Sequence, residues 1–421
     1  MDCPTNFLSC MTAAMAAGIV WAWSASAQAE ELWRAGVARI EITPKEPMWL
    51  GGYASRDHCA EGTLHPLWVK ALALEDAQGN RAVLVTSDLL GLSKTMSDAI
   101  RDRLASAYQL SRDQIILSSS HTHTGPVVRD LLYAIYPLTP EEIGKIERYS
   151  DVLEDQIVLA VDQAFRNLVP ARLAAAHGVV RFAVNRRNNA EAQILDTYDF
   201  KGPVDHAVPV LRVEREDGSL LAIVFGYACH ATVLDFYQWS GDYPGFAQIE
   251  LEAAHPGTTA LFFAGCGADQ NPLPRRMATL AQQYGRELAV AVERTLSEPM
   301  RPLESVLKTA YTEIELVTVA PPTREELVKV TAQGSEYVQR ACKRFITELD
   351  QGKRLKTTYL YPVELWRLGD QTIVALGGEV VVDYAIMLKG MLGRDVFVMG
   401  YCNHLIGYIP SVRVLREGGY E

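Results

Sequence analysis

Residues 115–126 read Ile115-Ile116-Leu117-Ser118-Ser119-Ser120-His121-Thr122-His123-Thr124-Gly125-Pro126. A short apolar, β-branched run closed by a Gly-Pro pair predicts a buried strand that ends in a forced turn. His121 and His123 stand two apart, and on a strand such residues share a face, so both imidazoles can meet at the strand's carboxyl end. Open α/β sheets carry their sites at such ends.

Similar runs surround this one. Residues 67–74, 82–86, 220–225, 260–264 and 372–376 predict further buried strands. Helical periodicity covers 94–108, 141–167, 275–296 and 325–350 and resumes after Glu379, with Thr323 and Glu326 forming a capping box before the fourth segment. Residues 363–368 turn through Gly369-Asp370 into 372–376 as a hairpin. Strands alternating with helices, with hairpins among them, predict an α/β fold: a mixed β-sheet core with flanking helices in a single large domain.

Two more segments place reactive side chains after strands. His230 follows the run 220–225, and Glu379 follows 372–376 across the pair Gly377-Gly378, where a helix is expected to begin. Imidazole is the commonest ligand of Zn²⁺, and a catalytic zinc needs three protein ligands and an open position. Each residue also has an ordinary alternative. His-x-His can arise in any polar loop, and His230, like His65, His206 and His404, can be a hydrogen-bonded core or loop histidine. Glu379 can simply complement a helix dipole.

The composition narrows the classes. With 48% hydrophobic and 22% charged residues, the 421-residue chain can bury a large core, which excludes disorder. A net charge of −11 with no outstanding Lys/Arg block argues against nucleic acid as a partner and against a polybasic membrane patch. The apolar run 7–23 followed by Ala27-Gln28-Ala29 predicts a signal peptide over 1–29, cleaved after Ala29, and a secreted or periplasmic protein. No Lys or Arg precedes the run, so a retained anchor is the alternative. Without that leader five cysteines remain, Cys59, Cys229, Cys266, Cys342 and Cys402, an odd number without CxxC spacing, which argues against a cysteine zinc site.

Taken together and in order, these segments resemble the catalytic domain of the neutral/alkaline (non-lysosomal) ceramidases. The resemblance starts at Gly36-Val37-Ala38-Arg39-Ile40-Glu41-Ile42-Thr43-Pro44, continues through Gly51-Gly52-Tyr53 and reaches the His121 to Pro126 segment. It goes on through Val184-Asn185-Arg186, Cys229-His230-Ala231-Thr232, Gly241-Asp242-Tyr243-Pro244-Gly245 and the stretch from Gly265 to Pro272. Gly378-Glu379, then Gly407-Tyr408 to Tyr420-Glu421, complete it.

The resemblance implies one zinc ion per chain, held by His121, His230, Glu379 and Tyr408. It implies that His123 and Tyr420 face the reacting carbonyl, that Arg186 lines the pocket, and that Glu379 accepts a proton. The implied activity is hydrolysis of the N-acyl amide of ceramide or a related lipid, which brings peripheral membrane contact with it. Small non-lipid N-acyl compounds, synthetic amides and esters suit the same chemistry. A non-catalytic exported relative that binds a lipid or partner is the non-enzymatic alternative. Asp88, Asp242 and Asp269 either orient ligand histidines or shape loops.

This sequence departs from the family pattern at Thr124, at Val127-Val128 and at Val380-Val381-Val382-Asp383-Tyr384. The C-terminal β-sandwich domain of full-length ceramidases is not expected within 30–421. Among rival enzymes, an amidohydrolase barrel carries His-x-His on its first strand, whereas several strands precede His121. A metallo-β-lactamase needs Asp-His shortly after the pair, where Thr124-Gly125-Pro126 stands.

Overall fold

Eight strands form the path of one mixed sheet in the computed structural model, which describes residues 31–421. In chain order they are β1 (Trp33–Glu41), β2 (Trp68–Glu75), β3 (Arg81–Ser87), β4 (Ile115–Ser119), β5 (Val169–Val179), β6 (Ala207–Arg215), β7 (Leu220–Tyr227) and β8 (Thr259–Ala264). Their order in space is β8-β7-β6-β5-β1-β2-β3-β4, and Arg301–Leu303 adds a ninth strand beside β5. The outermost pairs, β3 with β4 and β7 with β8, are parallel, and the pairs between them are antiparallel. The α/β expectation with a mixed sheet therefore holds, and Leu32–Glu421 forms one compact unit. The signal-peptide expectation for 1–29 lies outside the described residues.

The sheet curls. Lys70 on β2 donates to the Ala260 carbonyl on β8 at 2.8 Å, although the two strands stand five places apart in the order. With neighbouring strands about 4.8 Å apart, a flat sheet would separate them by roughly 24 Å. Curling brings the two parallel edge pairs, and with them the carboxyl ends of β4 and β7, to one side of the molecule.

Alternate residues of each strand supply two cores, as a period of two requires. Val85, Leu117, Phe225 and Phe262 pack with Ile100 and Leu104 of α1 (Lys94–Tyr108), Ile157 and Val161 of α2 (Pro140–Arg166), Leu251 of α3 (Asp242–Ala254) and Leu288 of α4 (Ala278–Ser297). On the other side, Leu84, Ile116, Val224 and Phe263 pack with Trp366, Ile373 and Phe397 of a second sheet. That sheet has the order β9 (Leu307–Val317), β10 (Thr358–Leu368), β11 (Gln371–Leu376), β12 (Phe397–Met399), and its β10–β11 hairpin turns at Gly369 as expected.

Three helix expectations change. The segment 325–350 is two helices, α5 (Arg324–Gln333) and α6 (Glu336–Asp350), because Gly334 and Ser335 take extended backbone and Ser335 opens a new helix. The Thr323–Glu326 capping box is present. The segment 275–296 starts three residues later, after Arg276 in left-handed backbone. The helix expected at Glu379 begins at Val382 as α7 (Val382–Leu392), because Glu379–Val380 is a short strand. Among the described residues the five cysteines are free, and no helix is long and apolar enough to cross a membrane.

Candidate active site

His121 leaves β4 in left-handed backbone, at φ +59°. The two histidines therefore do not share a strand face. A turn at His121 sets their rings nearly perpendicular, at 80°, with the two Nε2 atoms 3.3 Å apart. The loop is fixed from outside by the Ser240 carbonyl, which accepts hydrogen bonds from Thr122 (2.8 Å) and Thr124 (2.7 Å). His230 arrives after β7, and its backbone N–H donates to the Gln270 carbonyl at 3.0 Å.

Glu379 follows β11 of the second sheet, just outside it. Gly378 turns the chain at φ +72°, and Glu379–Val380 then pairs in parallel with Tyr408–Ile409. This register sets Glu379 directly beside Tyr408.

Each outer ring nitrogen faces a backbone carbonyl: Nδ1 of His121 is 2.7 Å from the Leu90 oxygen, and Nδ1 of His230 is 2.8 Å from the Gly267 oxygen. With the proton on Nδ1, both Nε2 lone pairs are directed at Oε2 of Glu379, 3.3 Å from each. Nε2 of His230 and Oε2 of Glu379 are buried without a hydrogen-bond partner. Buried acceptors facing one another are unfavourable unless a cation or proton lies between them. Ligand atoms about 2.0–2.2 Å from a tetrahedral metal stand about 3.3–3.6 Å apart, so these residues fit a bound cation. His123 belongs to the same cluster: donor nitrogens of His121, His123 and His230 lie within 4.8 Å of one another, and all three residues are buried.

Burial, followed by the neighbouring His121 and His230, holds the His123 imidazole well below its usual range, so it is neutral. Burial and then Arg186 lower His230 to about 4. For Glu379 burial pushes upward, but a proton shared from Nε2 of His121 or His230 outweighs it and holds the carboxyl well below the ordinary range. Burial and Glu379 raise the Tyr408 hydroxyl far above its usual range, so without a cation it is a neutral phenol.

Arg186 leaves the short strand Ala183–Asn185 with its N–H bonded to the Asp269 carbonyl at 2.9 Å. Its Nη2 donates to the Tyr408 hydroxyl at 3.1 Å and its Nε to Glu421 at 2.8 Å. The guanidinium lies 5.7 Å from the Tyr408 ring centre and 5.4 Å from that of Tyr420. Arg187 instead binds Glu417 and Glu421. Tyr420 stands 78% exposed at the edge of a cleft of about 640 Å³ lined by Arg186, Asn188, Asn271, Arg275, Tyr420 and Glu421.

The three aspartates shape loops and do not reach the outer nitrogens of His121 and His230, which face carbonyls. Asp88 accepts from the Trp68 N–H, Asp242 from those of Val233 and Leu234, and Asp269 from that of Val382. His65, His206 and His404 stand outside the metal-capable cluster, and His65 holds Ser240 at 3.0 Å. Two neighbours were missed in the sequence. The Tyr401 ring packs on His121 at 4.3 Å and Tyr53 meets His123 edge-on at 4.7 Å. Gly51-Gly52-Tyr53 was a signal for the second, since a Cβ on Gly52 would lie 2.3 Å from the His123 ring. Nothing in the sequence around Tyr401 marked the first.

Known proteins share this arrangement of elements. The crystal structure of neutral ceramidase from Pseudomonas aeruginosa superposes with a TM-score of 0.73 at 19% identity, covering 93% of this chain and 71% of that one. In sequence, that bacterium's neutral ceramidase is 27% identical over 253 residues, 58% of this chain and 37% of the relative. Neutral ceramidase from Drosophila melanogaster is 26% identical, covering 62% of this chain and 39% of its own length. Neutral ceramidase 2 from Arabidopsis thaliana is 30% identical, covering 60% and 33%. The chain thus matches little more than a third of the length of these curated relatives. The model of the family described as neutral/alkaline non-lysosomal ceramidase, N-terminal, matches residues 33–282, from β1 through both histidine segments. With that match over more than half of its length, the chain belongs to the neutral/alkaline non-lysosomal ceramidase family.

Proposed function

We propose that this chain is an exported, zinc-dependent amide hydrolase that cleaves the N-acyl amide bond of ceramide or a related N-acylated substrate. The observation that carries the reading is the convergence of two Nε2 lone pairs on one buried carboxylate oxygen, 3.3 Å from each and without any other partner. His121, His230, Glu379 and Tyr408 would hold the cation, with His123 at the same centre. When bound, zinc supplies Lewis acidity and lowers the pKa of water towards about 7.

The protein's own groups fill the remaining roles. Glu379, kept ionised, is the group that accepts a proton during attack on the carbonyl. His123 as a neutral imidazole and Tyr420 as a phenol are hydrogen-bond donors for the oxyanion that develops. Arg186 orients both tyrosines through its guanidinium.

A second reading draws on the cleft beside Arg186, which sets the polar groups of Arg186, Asn188, Asn271 and Arg275 next to apolar wall from Ala190, Leu273 and Tyr420. It favours small N-acyl compounds with a polar head.

Metal analysis combined with amine release from a ceramide and from a short-chain N-acyl amino acid, with and without chelator, tests both readings. We expect about one zinc per chain and chelator-sensitive cleavage, and Glu379→Gln and His230→Ala should each lower metal affinity by 10-fold or more. A metal-free, inert chain that zinc does not restore would overturn the enzyme reading.

A further inference from the structure

The segment between β9 and β10 carries a surface that amide hydrolysis does not use. A groove of about 780 Å³ lies between residues 318–322 and the C-terminal half of α6 with the loop after it. Its apolar lining comes from Val319, Pro321, Pro322, Phe345 and Leu355. Val319 is 89% exposed and Phe345 40%, with Val317 beside them at 81%. Arg344, Lys353, Arg354 and Lys356 rim the groove.

The charge here runs against that of the molecule. Residues 318–356 hold eight Lys/Arg and five Asp/Glu in a chain whose net charge is −11. Arg324 is paired with Asp350, Arg340 with Glu336 and Arg344 with Glu348. Lys343, Lys353, Arg354 and Lys356 have no carboxylate within salt-bridge distance among the described residues. In the sequence the patch shows only as the short runs Lys343-Arg344 and Lys353-Arg354-Leu355-Lys356, and the expectation against a polybasic membrane patch passed over them because a helix face and the loop after it bring them to one groove.

Exposed aliphatic and aromatic side chains beside unpaired cations complement an interface whose inner side is hydrocarbon and whose outer side is anionic. Apolar groups enter the boundary between headgroups and acyl chains, and Lys and Arg meet the phosphates. We propose that this groove and its basic rim dock the protein on a lipid surface bearing anionic headgroups. The patch is tied to the wall of the catalytic centre. Arg340 on α6 donates to the carbonyls of Ala134 (3.0 Å) and Ile135 (2.5 Å), and the hydroxyl of the next residue, Tyr136, accepts from the Gly52 N–H at 2.7 Å beside His123.

Co-sedimentation of the purified chain with vesicles of phosphatidylcholine alone, and of equimolar phosphatidylcholine and phosphatidylglycerol, tests the proposal. Binding to the anionic vesicles should exceed binding to the neutral ones and fall with added salt. Combining Lys353→Glu, Arg354→Glu and Lys356→Glu should weaken it on the order of 100-fold. Val319→Asp, at an exposed loop position, should weaken it with an unchanged circular dichroism spectrum. Cleavage of a short soluble N-acyl substrate should be the same in all variants, and because binding is read without turnover, an inactive chain would leave this test intact. Equal binding to both vesicle types, equal binding by the triple variant, or no binding at all would overturn the proposal. So would a patch that vesicles ignore but whose substitution changes the mass of the protein in solution, since a second copy would then cover it.

Discussion

Gly52 shows how closely the site depends on single atoms. Its backbone has φ +97°, and an added Cβ would fall 2.3 Å from Cγ and Nδ1 of His123. Gly52→Ala must therefore displace the His123 ring as well as strain the backbone. We expect kcat to fall by about 100-fold, the cost of moving a positioned group by about 1 Å. Metal content should stay near that of the wild type, because none of His121, His230 and Glu379 is touched by a Cβ at Gly52. Metal analysis beside steady-state kinetics checks this, and loss of metal in step with activity would count against a positioning effect. Residue types were legible in the sequence: His121, His123, His230 and Glu379 were singled out there, and they converge. The backbone turn at His121 was not, since the left-handed conformation of a histidine carries no sequence mark.

Elements packed on both sides were the legible ones. The six apolar runs predicted as strands are strands, because a strand buried on both faces reads as continuous apolar sequence. β9 was missed because its residues alternate between half-buried and exposed positions and are rich in Thr and Glu. β5 was missed as well, and its His177 makes a testable contact between the sheets. The His177 ring meets Phe397 of β12 edge-on at 5.0 Å, its Nε2 is buried without a partner, and burial followed by Lys389 lowers its pKa to about 4. Since the folded pKa lies below the unfolded 6.5, the unfolded chain binds the extra proton between those values. This contribution to stability is complete above about pH 6.5 and is lost as the pH falls towards 4, on the order of 3 kcal/mol at most. Urea midpoints measured from pH 7 to pH 4 should fall less steeply in His177→Gln, and His404, also lowered to about 4 by burial, supplies part of the remaining slope. Identical slopes in both proteins would rule out His177 as a contributor.

The two sheets and the helices are joined by a buried polar cluster around Arg101 of α1. Its Nη2 reaches the Ile115 carbonyl (2.7 Å), Glu364 of β10 (3.1 Å) and the side chain of Asn403. Asn403 in turn donates to Glu364 at 3.0 Å and accepts from the Leu117 N–H at 3.2 Å. Burial pushes the Glu364 carboxyl up to about 7 against the pull of Arg101. Arg101→Met removes one partner from a buried pair, and we expect it to cost about 3–5 kcal/mol, read from the urea midpoint. A change below about 1 kcal/mol would show that the cluster does not hold the layers together. From the sequence came the strand ends, the glycine breaks and the chemistry of the side chains, because burial and turn formation are written in local composition. The sequence could not say that β4 and β7, six places apart in the sheet, end at the same point, or that a carboxylate from beside the second sheet completes their site. Those facts depend on the curl of the main sheet and on packing between layers, which arise from contacts among residues far apart in the chain.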